Sequence, residues 1–133
     1  MSSQELARAE RVIRAILEPH YDKAKNRYSS ALFTGGNISL SRLAIKTYDE
    51  IVEIFLIELD KPNRAVIGTG EISVGDLQDI CSAHTDKPTA ISVLPKPTET
   101  NPAHAEMPQD ISRGLAMKII GKLEKQEIQR KSN

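Results

Sequence analysis

The chain has 133 residues, of which 39% are hydrophobic and 4% aromatic, so it suffices for one domain with a modest aliphatic core. Its 18 basic residues equal its 18 acidic residues, which argues against a broad electrostatic surface for nucleic acid. A single cysteine, which cannot form an intramolecular disulfide, and the absence of an apolar run long enough to cross a bilayer predict a soluble cytoplasmic protein without membrane association.

The first third of the chain predicts a helix followed by two strands. Apolar residues at helical spacing place the helix over residues 3–18, and Ser2 and Glu5 have the spacing of a capping box. The arginines near its opposite face are interpreted as solvated; they are Arg8, Arg11 and Arg14. A strand is predicted over 27–33, where a glycine turn ends it, and a second strand over 38–45.

The middle of the chain contains a nearly continuous apolar run at residues 51–57, which suits a buried strand or a buried helix equally. Thr47 and Glu50 have capping-box spacing, which favours a helix that begins near Tyr48. A turn is predicted at 60–63, where proline and asparagine follow each other.

A strand is predicted next, over 64–72, and Ser73 is placed to cap a short helix over 74–84. The side chains that this helix would bury are Leu77, Ile80 and Cys81. A further strand is predicted over 89–95, where apolar residues alternate with polar ones.

Four of the seven prolines lie within residues 95–108, so this stretch is predicted to be extended and irregular. A last helix is predicted from Ile111, with Asp110 as its cap. Its apolar face is formed by Ile111, Leu115, Ile119, Ile120 and Leu123. The polar tail, residues 125–133, is expected to fray.

These elements predict one α+β domain over residues 1–133. We expect a small mixed or antiparallel sheet, with helices on one face and with flanking N- and C-terminal helices.

His104 and Glu106 match the first half of a zinc-deaminase signature. The cysteine ligands of the second half are missing, because no cysteine follows Glu106. A site that adds Cys81 and His84 has four ligands of suitable types, yet nothing in the sequence brings them together. The sequence therefore predicts no metal and no cofactor. The alternative interpretation is a rigid turn that begins at Asn101, in which His104 bonds the backbone.

Several segments, SSALF, ISLSR and NPAHAEM, resemble a family of small uncharacterised bacterial proteins over about residues 28–107. The matching positions are Ser29, Ser30, Phe33, Ser39, Arg42, Asn101, Pro102 and His104. The resemblance implies a bacterial origin and a shared fold, and it transfers no catalytic role because no activity is established for that group.

No complete nucleophile set, metal motif or phosphate loop is present, so the sequence favours a non-catalytic adaptor or accessory protein that binds another, unidentified protein. Homo-oligomerisation is left open. The alternative is a small enzyme or nucleotide-binding protein with a site around Arg27, Ser29, Arg42 and His104. The candidate binding residues are Arg27, Ser29, Arg42, Asn101, His104 and Glu106.

Overall fold

A six-stranded antiparallel sheet organises the protein. The computed structural model describes residues 4–128. The strands are β1 (Arg11–Leu17), β2 (Tyr21–Asp22), β3 (Arg27–Tyr28), β4 (Ile38–Arg42), β5 (Val66–Ser73), β6 (Leu94–Pro95), β7 (His104–Met107) and β8 (Glu124–Glu127). Six form the sheet in the order β6-β7-β4-β1-β5-β8, while β2 and β3 form a separate pair. The helices are α1 (Tyr48–Glu58), α2 (Val74–Ser82) and α3 (Arg113–Lys122), which confirms the predicted α+β class.

Strand β1 lies inside the sheet and is buried on both faces. Val12 and Ile16 belong to the larger core cluster, which includes the buried residues of α2 and α3. Ile13 and Ala15 belong to the second cluster, to which α1 contributes Ile51 and Phe55. The helices therefore cover both faces of the sheet, rather than one face as the sequence predicted. In the described range no helix is long and apolar enough to span a membrane.

The predicted first helix over 3–18 is wrong, because residues 11–17 form β1. The segment pairs with β5 from Arg11 to Leu17 and with β4 at Val12 and Ile13. A strand buried on both faces has an almost continuous apolar sequence, which also satisfies helical spacing. The proposed capping residue Ser2 lies outside the described residues.

The predicted capping signals of the middle helices are confirmed. Thr47 Oγ1 accepts a hydrogen bond from the backbone N–H of Glu50 at 3.2 Å, and Glu50 Oε1 accepts one from the N–H of Thr47 at 3.0 Å. Ser73 Oγ accepts a hydrogen bond from the N–H of Asp76 at 3.1 Å, and α2 follows it. Strands β4 and β5 also occur where the sequence predicts strands.

Two predicted strands are much shorter than expected. Of residues 27–33 only Arg27–Tyr28 is a strand, because Ser29 Oγ accepts the N–H of Ala31 and starts a 3-10 turn. Of residues 89–95 only Leu94–Pro95 pairs as a strand. Val93 of this segment is buried although it is not part of a strand. Its carbonyl oxygen accepts the N–H of Leu6 at 2.9 Å.

The C-terminal helix is present, but its cap and its tail differ from the prediction. Ser112, rather than Asp110, caps α3 by accepting the N–H of Leu115 at 3.3 Å. The tail predicted to fray over 125–133 pairs with β5 as strand β8 as far as Glu127. Backbone hydrogen bonds to β5 hold this edge strand in place, and its exposed side chains are polar. The sequence therefore contains no apolar pattern that would indicate a strand here. Residues 129–133 lie outside the described residues.

Candidate functional site

Strands β1 and β4 separate after two residue pairs. Their ladder joins Val12 to Arg42 and Ile13 to Ser41, after which β1 continues along β5 and β4 continues along β7. Arg14 bridges the opening: its Nε donates a hydrogen bond to the carbonyl oxygen of Leu32, and its Nη1 donates to that of Ser39 at 2.9 Å. The two carbonyls hold the guanidinium in place.

Arg14 is a partly buried cation with free hydrogen-bond donors. A guanidinium has five N–H donors, and two of them bond the carbonyls, which leaves three. Burial lowers the pKa of Arg14 to about 10. No carboxylate of the described residues forms an ion pair with it. Nη2 makes no hydrogen bond to the described residues. It is not buried, so it reaches solvent.

A cleft of about 370 Å³ lies between this opening and the C-terminal end of α1. Its apolar side chains come from Ala15, Leu17, Ala31, Leu40, Phe55 and Leu59, and its charged or titratable ones from Arg14, His20, Glu58, Arg64 and His104. Glu58, the one acid in the lining, bonds the hydroxyl of Thr100. The lining therefore combines an apolar wall with an excess of cationic and imidazole groups.

His20 is buried, and its hydrogen bond fixes the position of its proton. Its Nδ1 lies 3.1 Å from the backbone N of Leu17, which donates to it. Burial, together with the positive charges of Arg14 and Arg64, lowers the pKa of His20 to about 4. The ring is therefore neutral at pH 7 with its proton on Nε2, which makes Nε2–H a hydrogen-bond donor.

His104 has the opposite arrangement. It lies in β7 opposite Ser41, and its Nδ1 is 2.8 Å from the carbonyl oxygen of Lys96. A carbonyl oxygen only accepts, so Nδ1 carries the proton and Nε2 of the neutral ring has a free lone pair. The backbone hydrogen bond predicted for His104 is thus present, in a strand rather than in a loop.

Of the other residues in this segment, Asn101 lines the cleft and is buried. Glu106 also lies in β7, opposite Ser39, but outside the cleft lining. A turn is present after Asn101, as predicted, and the side-chain oxygen of Asn101 accepts the N–H of Ala103 at 3.0 Å.

The structure does not bring together the four residues of the alternative site predicted from sequence. Arg27 and Ser29 line a separate, more open cavity of about 610 Å³. Arg42 forms a two-pronged ion pair with Glu10, whose Oε1 lies 3.0 Å from Nη2. Of that set, only His104 lies in the cleft.

Sequence reasoning missed Arg14, His20 and Arg64. Arg14 was assigned to a solvated helix face, and that face disappears when 11–17 is a strand. One signal could have found it: Arg14 interrupts the apolar segment RVIRAIL, where a charged residue is costly to bury and rare without a purpose.

No family model, curated protein or solved structure shows a significant match to this chain. Within residues 4–128, no group of three or more His, Cys, Asp or Glu side chains is arranged to hold a metal ion.

Proposed function

We propose that the protein binds a small organic anion in the cleft between α1 and the opening of β1 and β4. The observation that carries the proposal is Arg14, a partly buried guanidinium without a carboxylate partner in residues 4–128, which belongs to the lining of the cleft and has three N–H donors that bond no atom of that range. A partly buried charge is less well hydrated than one in water, and a bound anion would offset that loss. The hydrogen bonds that it would form are charge-assisted and therefore strong.

The surroundings of Arg14 favour an anion over a cation. Arg64 lines the same cleft, and neutral His20 offers an N–H donor. Phe55 and Leu59 contribute apolar side chains to the same cleft, which suits a ligand with a carbon body and one anionic end. The volume, about 370 Å³, lies near the lower end of the range of about 300–1,000 Å³ for ligand sites, so the ligand is small.

The proposal is tested by NMR titration of the full chain with propionate and benzoate. We expect saturable shifts of amides around the cleft, and at least about tenfold weaker binding in Arg14→Gln, the loss of one charge-assisted interaction. Arg8→Gln is the matched control, because Arg8 is an exposed arginine paired with Asp79 away from the cleft. Equal affinity of Arg14→Gln and the wild type would contradict the proposal.

Arg14 also bonds two backbone carbonyls, so its substitution could disturb the fold. A second variant separates the two effects: Arg64→Gln changes an exposed side chain at the rim of the same cleft. We expect Arg64→Gln to unfold like the wild type and to bind the carboxylates several-fold more weakly. Unchanged binding in both variants would leave no support for an anion site.

A second candidate is the protein-binding role predicted from the sequence, and one observation favours it. Ile57 on α1 is 75% exposed and lines a shallow cavity with Ile54 and Pro102. Single exposed apolar residues are common, but these three are adjacent. Ile57→Glu should abolish self-association in sedimentation velocity, or association with a co-purified protein, and leave carboxylate binding unchanged. A cytoplasmic location and the likeness to small bacterial proteins remain predictions.

A further inference from the structure

The two histidines of the cleft present opposite hydrogen-bonding atoms to it. The backbone N–H of Leu17 occupies Nδ1 of His20, which leaves an N–H donor at Nε2. The carbonyl of Lys96 occupies Nδ1 of His104, which leaves a lone pair at Nε2. Each ring is thus held in one tautomer by a backbone group and not by the ligand.

Two other side chains of the cleft with acceptor oxygens, Asn101 and Glu58, already bond within the protein. Asn101 uses its Oδ1 for the N–H of Ala103 and its Nδ2 for the hydroxyl oxygen of Ser41. Glu58 already accepts the hydroxyl of Thr100. Nε2 of His104 has no partner among the described residues, and it is not a buried atom, so it is accessible to a ligand.

We infer that the anion is a small hydroxy acid: its carboxylate binds Arg14 and the N–H of His20, and its hydroxyl donates a hydrogen bond to Nε2 of His104. The inference rests on the proposed function and adds the class of ligand. A carboxylate alone uses the donors of the cleft but makes no hydrogen bond to the lone pair of His104. A hydroxyl group beside the carboxylate fills both requirements.

The same geometry disfavours an anion that has only acceptor oxygens. Sulfate would place a negatively charged oxygen against the lone pair of His104, and the two would repel each other. It would also gain nothing from the apolar wall at Phe55 and Leu59. A ligand that leaves a polar group of the site without a partner is generally rejected more strongly than one that only fits an apolar pocket less well.

The test compares lactate, propionate and sulfate in NMR titrations of the full chain at about pH 8, where an ordinary imidazole is neutral. We expect lactate to bind at least about tenfold more tightly than propionate, and sulfate more weakly than either. Equal affinity for lactate and propionate, both dependent on Arg14, would overturn the hydroxy-acid inference and leave the proposed function intact. Absence of binding by both carboxylates would overturn both.

The variant His104→Asn tests whether His104 is the residue that binds the hydroxyl group of the ligand. An asparagine amide can still donate to the carbonyl of Lys96, as Nδ1–H does, but it has no atom at the position of Nε2. We expect the variant to bind propionate like the wild type and to lose the preference for lactate. A preference for lactate that survives in His104→Asn would show that another group recognises the hydroxyl.

The tautomers can be measured without any ligand. Long-range ¹H–¹⁵N spectra of the free protein distinguish a protonated Nδ1 from a protonated Nε2 in each ring. We expect the proton on Nε2 in His20 and on Nδ1 in His104. A His104 that carries its proton on Nε2 would overturn the inference, because that atom would then donate and could not accept the hydroxyl.

Discussion

Asn101 donates a hydrogen bond from Nδ2 to Oγ of Ser41 at 3.1 Å, and both residues are buried. The bond joins the turn before β7 to β4, the strand that forms one side of the cleft. The backbone N–H of Asn101 in turn donates to Oγ1 of Thr98 at 2.9 Å. One asparagine therefore holds the turn closed and fixes the start of β7, where His104 lies.

We expect Asn101→Ala to lower the free energy of unfolding by about 2–3 kcal/mol, because it leaves the buried Ser41 hydroxyl and the N–H of Ala103 without partners. Urea denaturation followed by circular dichroism measures the change. Thr100→Ala is the control: Thr100 is exposed and bonds exposed Glu58, so its loss should cost about 0.5 kcal/mol or less. A similar midpoint for the two variants would contradict the structural role of Asn101.

Elements with a local signal could be predicted from the sequence, and elements defined by distant pairing could not. The capping box of Thr47 and Glu50 lies within four residues, and it correctly favoured a helix where the apolar run was ambiguous. Strand β1 depends on partners that are distant in sequence: the nearest pair with β4 is Ile13 with Ser41, 28 residues apart, and the nearest pair with β5 is Leu17 with Val66, 49 residues apart. Local spacing of RVIRAIL fits a helix equally well.

The candidate site was predicted in part for the same reason. Asn101 and His104 belong to one short segment whose turn signal is local, and both line the cleft. Arg14 and His20 reach the cleft only because β1 separates from β4, which no residue spacing indicates. The ion pair that engages Arg42 could not be predicted, because its partner Glu10 is 32 residues away in sequence.

His20 makes a contribution to stability that depends on pH. Its pKa is about 4 in the folded protein and 6.5 for an ordinary histidine, so the unfolded chain binds the proton first as the pH falls. The contribution is therefore fully present above about pH 6.5 and is lost as the pH falls toward about 4. We expect a loss on the order of 2 kcal/mol, after allowance for solvent screening of a partly hydrated ring.

The matched variant for this measurement is His20→Asn, whose side-chain oxygen can still accept the N–H of Leu17 but does not titrate. Urea denaturation of both proteins between about pH 4 and pH 7 gives the difference in slope, since the carboxylates titrate equally in both. The wild type should lose more stability toward acid than His20→Asn. Parallel curves would mean that His20 takes up a proton as readily in the folded protein as in the unfolded chain.

Gly68 sets the approach of the edge strand β8 to β5. A Cβ at this position would lie 2.7 Å from the backbone carbonyl oxygen of Gln126, which cannot move aside without shifting the strand. We expect Gly68→Ala to destabilise the protein by about 1–3 kcal/mol and to deprotect the amides of β8 in hydrogen exchange. Unchanged protection of residues 124–127 would show that β8 adjusts without cost.

Gly121 provides the matched glycine for comparison. It lies in α3, and a Cβ there would meet no heavy atom within 4 Å. Alanine forms helices better than glycine, so Gly121→Ala should stabilise the protein by about 0.5–1 kcal/mol in the same denaturation experiment. The two Gly→Ala substitutions should therefore shift the unfolding midpoint in opposite directions.

Cys81 is a core residue of α2 and should react slowly in the native protein. Its side chain is fully buried among apolar residues, and burial raises the pKa of the thiol to about 11. Only the thiolate attacks a disulfide reagent, and at about pH 8 a group with that pKa is roughly one part in a thousand thiolate. Ser82→Cys supplies an internal standard, because Ser82 is the exposed neighbour. With a chromogenic disulfide reagent, one thiol of this variant should react fast and the other only as urea unfolds the chain. Two fast phases in native buffer would mean that the α2 face opens to solvent, and that the burial of Cys81 does not protect it.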